Sequence, residues 1–294
     1  MNQDYPYPFT PRRLEVNGHY LSCVDQGQGK TVVMLHGNPT WSFMYRNLIA
    51  ELQVDHRVVA PDHLGCGRSD KPQAHNYCLA DHIANLEKLI DQLEIDRFSL
   101  VVHDWGGAIG MGYAVRHPER IEAMVIMNTA AFHSRHIPQR IRLCRAPLLG
   151  ELLVRGANLF VRAALHMTVC RRLPREIQQG YLAPYDSWRN RIGVMRFVQD
   201  IPMAKNHPSH QTLREIENGL AKLQDIPALI LWGGKDWCFN RHFLTRWQEI
   251  LPKAACHCFE DAGHYLLEDA QGNIEPRIHN FLDKIKTPNQ PDRE

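Results

Sequence analysis

The sequence predicts an α/β protein in which a mostly parallel sheet carries helices on both faces and is interrupted by one long helical insertion. Through residues 1–130, short β-branched and apolar runs alternate with segments of helical periodicity. The alternation stops near residue 131 and resumes after residue 219. Parallel strands require crossover connections, so this alternation favours a parallel sheet covered on both faces. We therefore predict a core formed by residues 1–130 and 220–294, with residues 131–219 as a helical cap.

Each predicted strand is a short apolar run bounded by turn signals. The strands lie within residues 14–25, which an Asn17-Gly18 turn divides into a hairpin, and at 31–35, 57–60, 98–102, 121–127, 227–232 and 255–259. Helices of the core are predicted at about 43–52, 81–93, 106–116, 241–251 and 273–285. This gives eight strands, and the cap follows the sixth of them.

Composition and charge exclude several classes of protein. The chain has 294 residues, a formal net charge of +2 and 44% hydrophobic residues, which are globular values. A charge near zero argues against nucleic-acid binding by bulk attraction. No apolar run approaches the roughly 20 residues of a transmembrane segment, and no secretory signal is visible at the amino terminus.

The cysteine pattern bears on location and metal binding. Eight cysteines are scattered along the chain without a CxxC pair. Cys256 and Cys258 flank a histidine, but no second pair of ligands follows at a spacing typical of zinc sites. We expect reduced thiols and no metal, which predicts a cytoplasmic protein.

A candidate nucleophile lies where the strand 98–102 runs into a helix. The segment His103-Asp104-Trp105-Gly106-Gly107 joins the two through a sharp turn with small residues. Strand, sharp turn and helix are the setting of a nucleophile elbow, whose G-x-S-x-G pattern would place Ser at position 104. The residue here is Asp104, and the first Gly is absent. Capping of the helix by this aspartate is therefore a competing interpretation.

Three further segments favour the catalytic interpretation. Leu35-His36-Gly37-Asn38-Pro39 follows a strand at the point where this architecture supplies a backbone N–H to an oxyanion hole. Asp236 follows the strand 227–232, and His264 follows the last strand. Asp104, Asp236 and His264 therefore occur in the order nucleophile, acid, histidine, as in α/β-hydrolases.

Together these motifs resemble the haloalkane dehalogenase branch of the α/β-hydrolase fold, over about residues 8–282. The loop 62–70 matches the D-x-x-G-x-G-x-S loop of the superfamily, which supports the fold alone. Segments in and beside the cap resemble the β-lactone decarboxylases of bacterial long-chain olefin biosynthesis: 128–132, 182–188, 196–202 and 236–239. The resemblance implies conversion of a cis-3,4-dialkyl β-lactone to a cis-alkene and carbon dioxide.

The resemblance also implies roles for the site residues. Asp104 would be the nucleophile, and His264 the general base or proton carrier that Asp236 orients. Asn38 and Trp105 supply the donors that hold a halide in dehalogenases, and here they would stabilise developing negative charge. Some family members carry the acid after the sixth strand, but Asn128 occupies that position and cannot serve. No metal or organic cofactor is called for.

Other functions remain open from the sequence. A haloalkane dehalogenase would use the same residues to hydrolyse a carbon–halogen bond through an alkyl-enzyme ester. An epoxide hydrolase would need a pocket tyrosine to protonate the ring oxygen, and Tyr181 or Tyr185 could do so. A non-catalytic receptor of the same fold is the third alternative, against which the complete set of Asp104, Asp236 and His264 argues.

The cap is expected to close over the carboxyl end of the sheet and exclude water. Its many apolar residues predict a pocket for a small hydrophobic substrate with alkyl chains, although simple packing onto the core is an alternative. Phe132, Tyr185 and Trp188 are the candidate pocket residues.

The cap is also strongly basic. Residues 131–200 contain twelve Arg, no Lys and four acidic residues, a formal charge of +8, whereas the rest of the chain carries −6. These arginines could simply face water, or they could form a surface for an acidic partner or a membrane. The resemblance implies a multienzyme olefin-synthesis assembly that would bind through this basic cap.

Overall fold

The computed structural model describes residues 5–285. Its strands are β1 (Arg12–Val16), β2 (His19–Gln26), β3 (Lys30–Leu35), β4 (His56–Pro61), β5 (Phe98–Asp104), β6 (Ile121–Thr129), β7 (Ala228–Gly233) and β8 (Ala255–Phe259). Its helices are α1 (Arg46–Leu52), α2 (Leu79–Gln92), α3 (Trp105–Arg116), α4 (Gln139–Cys144), α5 (Leu149–Glu151), α6 (Leu159–Met167), α7 (Arg175–Leu182), α8 (Ile192–Gln199), α9 (Pro208–Gly219), α10 (Arg241–Ile250), α11 (Leu266–Asp269) and α12 (Glu275–Asp283). A π-helical turn, Leu152–Gly156, links α5 to α6.

The eight strands form one sheet in the order β1-β2-β4-β3-β5-β6-β7-β8. The pairs β1–β2 and β2–β4 are antiparallel, and every pair from β4 to β8 is parallel. The predicted eight-stranded, mostly parallel sheet is therefore confirmed. The carboxyl ends of the parallel strands meet at one edge, where ligand sites of such sheets form.

Apolar side chains alternate between the two faces of the sheet. Along β3, Val33 and Leu35 join the core on one face, whereas Val32 and Met34 join the core on the other. The first face is covered by α2, α3, α9 and α10, and the second by α1 and α12. Burial of both faces explains why these strands are continuous apolar runs in the sequence.

Some boundaries differ from the prediction for identifiable reasons. Strands β5 and β6 run on to Asp104 and Thr129, because these two residues still pair across the sheet. The helix predicted at 273–285 begins only at Glu275, with Pro276 in its first turn, where its missing N–H costs no hydrogen bond.

Between β6 and β7 every regular element is helical. Helices α7 and α8 contact the loop that follows β3: Trp41 Nε1 donates to the Gly180 carbonyl (3.0 Å), and Asn38 Nδ2 donates to the Val194 carbonyl (3.1 Å). Helix α9 also lies within residues 131–219, but it packs against α2 and α3 of the core. The three-part division of the chain stays a prediction. Within residues 5–285, no helix combines the length and the apolar character that a bilayer crossing requires.

Candidate active site

Asp104 stands at a strained turn between β5 and α3. Its backbone has φ +50° and ψ −124°, which is rarely adopted by a residue other than glycine. Small neighbours permit the turn: a Cβ on Gly106 would lie 2.0 Å from the Leu35 carbonyl oxygen, and one on Gly107 would lie 1.8 Å from Thr129 Oγ1. The Thr129 hydroxyl donates to the Asp104 carbonyl and holds the turn in place.

The two carboxylate oxygens of Asp104 have different surroundings. The Asn38 backbone N–H donates to Oδ1 (2.6 Å), and the Trp105 backbone N–H adds electrostatic stabilisation of the ionised carboxylate. Oδ2 lies 3.8 Å from His264 Nε2. Burial raises the pKa of the Asp104 carboxyl, while His264 and the two N–H groups limit the rise. The arrangement leaves Oδ2 as the oxygen that can attack a substrate.

His264 is fixed by a buried carboxylate. Its Nδ1 lies 2.8 Å from Asp236 Oδ2, so the other ring nitrogen faces Asp104. Asp236 Oδ1 accepts from the backbone N–H groups of Cys238 (2.6 Å) and Phe239 (3.0 Å). Burial opposes protonation, but Asp236 and Asp104 outweigh it and raise the pKa of His264 above its ordinary value. The structure thus brings together the three residues predicted as catalytic.

Sequence reasoning missed a function for Asn128, beyond excluding it as the acid. Its Nδ2 donates to Asp236 Oδ2 (2.9 Å), and its Oδ1 accepts from the Gly233 backbone N–H (2.8 Å). The Asn128 amide therefore orients the Asp236 carboxylate, although Asn128 cannot itself serve as the catalytic acid. The sequence offered one signal for this function, which was a polar residue at the end of a buried strand. His103, which precedes the nucleophile, is fully buried and its Nε2 contacts the His264 carbonyl oxygen (2.8 Å).

A cavity of about 510 Å³ lies above Asp104 between core and cap. Its walls are mostly apolar, and the polar groups Asp104, Asn38 and His264 meet on one side of it. Trp105 also lines the cavity, and Phe132 does so as predicted. Both the size and the few convergent polar groups are typical of a small-molecule site.

Tyr185 and Trp188 do not line this cavity, so their prediction as pocket residues was wrong. Tyr185 is fully buried, and its hydroxyl donates to the Thr40 carbonyl (3.2 Å). Trp188 is 43% exposed on the cap surface, with the Arg155 guanidinium 4.6 Å from its ring centroid. Tyr181 likewise turns away and donates to Glu268 Oε1 (2.6 Å). No tyrosine lines the cavity among the described residues, which removes the proton donor that epoxide hydrolysis would need.

One group of side chains in residues 5–285 could hold a metal ion. Asp55, His56, His279 and Asp283 bring four potential ligand atoms within 4.8 Å of one another. His56 begins β4, so this group lies at the opposite end of the sheet from Asp104. It has no part in the candidate active site.

The chain is similar to known enzymes over nearly its whole length. The family model described as alpha/beta hydrolase fold matches residues 30–271. A cis-3-alkyl-4-alkyloxetan-2-one decarboxylase of Shewanella oneidensis is 46% identical, with 95% of this chain and 90% of that protein covered. A decarboxylase of the same name from Xanthomonas campestris pv. campestris is 40% identical, with 95% of this chain and 98% of that protein covered.

Haloalkane dehalogenases are more distant. Haloalkane dehalogenase 2 of Mycobacterium tuberculosis is 30% identical, with 92% of this chain and 94% of that protein covered. The crystal structure of haloalkane dehalogenase DbeA from Bradyrhizobium elkani superposes with a TM-score of 0.85 at 27% identity, covering 94% of this chain and 98% of that one. The predicted resemblance to both groups is thereby confirmed. The chain belongs to the α/β-hydrolase fold family, in the branch that holds the cis-3-alkyl-4-alkyloxetan-2-one decarboxylases and the haloalkane dehalogenases.

Proposed function

We propose that this protein decarboxylates cis-3,4-dialkyl β-lactones to cis-alkenes and carbon dioxide, with Asp104 as nucleophile. The observation that carries the proposal is the 46% identity to a cis-3-alkyl-4-alkyloxetan-2-one decarboxylase across 95% of the chain. The mostly apolar cavity above Asp104 supports it, because such walls suit the alkyl chains of the substrate.

The donors around Asp104 favour one of the two electrophilic ring carbons. The backbone N–H of Asn38 is already bound to Asp104 Oδ1, so it is not free for the carbonyl oxygen of a lactone. Attack at the carbonyl carbon would therefore lack this backbone oxyanion donor. Attack at C4, the carbon that carries the ring oxygen, needs stabilisation of a departing carboxylate instead. Asn38 and Trp105 line the cavity. The Asn38 amide N–H that is not bound to the Val194 carbonyl and the Trp105 indole N–H can supply this stabilisation.

The resulting two steps balance without water. Asp104 Oδ2 forms a bond to C4 while the bond from C4 to the ring oxygen breaks, leaving a carboxylate on C3. The bond between C3 and this carboxylate then breaks, and its electrons form the double bond to C4. Carbon dioxide departs as the bond from C4 to Oδ2 breaks, which restores Asp104. Inversion at C4 followed by anti elimination preserves the cis arrangement of the alkyl chains.

In this scheme His264 acts through the positive charge of its imidazolium form and not as a proton carrier. No proton is transferred overall, so an imidazolium held by Asp236 stabilises the carboxylate that returns to Asp104 in the second step. Asp236 and Asp104 raise the pKa of His264 against the opposing effect of burial, which favours this charged form. A hydrolase would instead require neutral His264 to activate water.

The decisive test is incubation with a cis-dialkyl β-lactone. We expect alkene and carbon dioxide in equal amounts, with Asp104→Ala at the spontaneous rate. Alkene formation by the wild type at only the spontaneous rate would refute the proposal. His264→Ala should accumulate a covalent adduct visible by intact-protein mass spectrometry. Treatment with hydroxylamine distinguishes the two possible adducts of Asp104. The alkyl ester formed by attack at C4, as proposed, resists hydroxylamine, whereas the mixed anhydride formed by attack at the carbonyl carbon is cleaved.

Haloalkane dehalogenation is the second candidate, favoured by the 30% identity to haloalkane dehalogenase 2. Repeated turnover of a bromoalkane with release of bromide would support it. A single burst equal to the enzyme concentration would show only that Asp104 can be alkylated. A cytoplasmic location and a multienzyme assembly through the basic cap stay predictions.

A further inference from the structure

The cavity opens onto an exposed apolar area of the cap. Leu143 and Leu159 both line the cavity and are 52% and 48% exposed, so they form its mouth. Between them in sequence lie three more exposed leucines, Leu148 (81%), Leu149 and Leu152 (61%). The elements that carry them, α4, α5, the π-helical turn and α6, pack consecutively. We call this set of five leucines the mouth face.

Large apolar side chains grouped on a surface mark an interaction site rather than ordinary exposure. Leu148 and Leu152 do not line the cavity. Substrate binding therefore gives no reason for their exposure.

Basic side chains border the mouth face. Arg140 and Leu143 are three residues apart, as are Leu159 and Arg162, so each pair shares one side of its helix. Arg140, Arg142 and Arg162 are exposed, and none of the three forms an ion pair with the described residues. The nearby acid Glu151 is paired with Arg155 (3.0 Å). The border of the mouth face is therefore positive and uncompensated.

We propose that the mouth face docks on the surface of an anionic phospholipid bilayer. Exposed leucines flanked by arginines are the combination that lies in a membrane interface, with the apolar side chains below the head groups and the cations at the phosphates. The positive border is complementary to anionic head groups. Docking in this orientation places the cavity mouth against the hydrocarbon region. An alkyl substrate can then enter, and an alkene can leave, without crossing water; this last step rests on the proposed function, whereas the docking itself does not.

Flotation with lipid vesicles tests the docking. The wild type is mixed with vesicles of phosphatidylcholine alone or of phosphatidylcholine and phosphatidylglycerol in equal parts. We expect binding to the anionic vesicles, weaker binding to the neutral ones, and loss of binding to the anionic vesicles as salt is added.

Two double variants separate the apolar and the charged contributions. Leu148→Ser with Leu152→Ser, and Arg142→Gln with Arg162→Gln, should each weaken binding at least about tenfold. None of these four residues lines the cavity, so turnover of detergent-dispersed lactone should be unchanged. Matched controls are Val54→Ser, an exposed apolar residue (82%) of the core, and Arg277→Gln, an exposed arginine of α12 that forms no ion pair with the described residues.

The outcomes are distinct. Absence of binding to either vesicle, or binding that both double variants retain, overturns the proposal. The wild type could instead fail to bind vesicles while the two double variants lose association with a partner enzyme. In that case the mouth face binds a protein, and the membrane proposal is wrong. Failure of turnover with intact vesicle binding would count against the proposed function alone.

Discussion

Replacement of Asp236 by Asn removes the charge behind His264 while keeping the shape of the side chain. Asp236 accepts four hydrogen bonds: two backbone N–H groups bind Oδ1, and His264 Nδ1 and Asn128 Nδ2 meet Oδ2. The single oxygen of an Asn would stay with the two backbone donors. Its NH₂ group would then face His264 Nδ1 and force that nitrogen to become an acceptor.

The expected loss follows from this geometry. A hydrogen bond to a charged group contributes about 1.5–3 kcal/mol, which corresponds to about 10- to 150-fold in rate if it acts on the reactive charge state. With Asp236 neutralised, burial is opposed only by Asp104, so the pKa of His264 falls. The protonated form exists below the pKa, so the wild-type lyase rate should decline as pH rises through its raised value. In Asp236→Asn this decline should shift to lower pH.

The assay is the initial rate of alkene formation by gas chromatography across acid to alkaline pH. Asn128→Ala is the matched control, because it removes a neutral donor from the same oxygen and keeps the charge. We expect it to lower the rate far less and to leave the pH profile in place, and thermal melts would verify that both variants fold. If Asp236→Asn had the same rate and the same pH profile as the wild type, the role assigned to Asp236 would be refuted. If the wild-type rate instead rises as pH passes through the pKa of His264, the active form would carry a neutral His264, which would indicate a hydrolytic mechanism.

Three further substitutions test other parts of the site. Asn38→Ala removes an amide that lines the cavity and also donates to the Val194 carbonyl, so steady-state kinetics should show a turnover rate about 10²–10³-fold lower, and melting should show a loss of stability of about 1 kcal/mol for the one buried hydrogen bond; an unchanged rate would exclude the amide as a donor. Gly106→Ala places a Cβ 2.0 Å from a backbone oxygen, so we expect loss of activity or of soluble protein, and a fully active variant would contradict the tight elbow. Glu268→Gln leaves the buried Arg46 without its carboxylate (2.6 Å) and should cost about 3–5 kcal/mol in urea unfolding. The exposed control Glu260→Gln should leave the unfolding midpoint unchanged, and equal effects of the two would contradict the importance of burial.

The sequence by itself determined the sheet and the positions of the three catalytic candidates. Strand patterns and turns are local, so the continuous apolar run from Val32 to Leu35 was sufficient to indicate a strand buried on both faces. Residues at the carboxyl ends of parallel strands converge on one edge whatever the details of packing. The order Asp104, Asp236, His264 could therefore be interpreted before any coordinates were known.

Only the tertiary structure decided what the remaining side chains contact. Tyr185 lies in a short helical turn of the cap and Trp188 directly precedes another, and the direction of both side chains depends on how the cap packs on the core rather than on any sequence period. Packing turned one into the interior and left the other exposed. The same holds for the Asn38 backbone N–H, which binds Asp104 itself, and for the leucines around the cavity mouth. Local sequence fixes the path of the backbone, but long-range packing decides which surface each side chain meets.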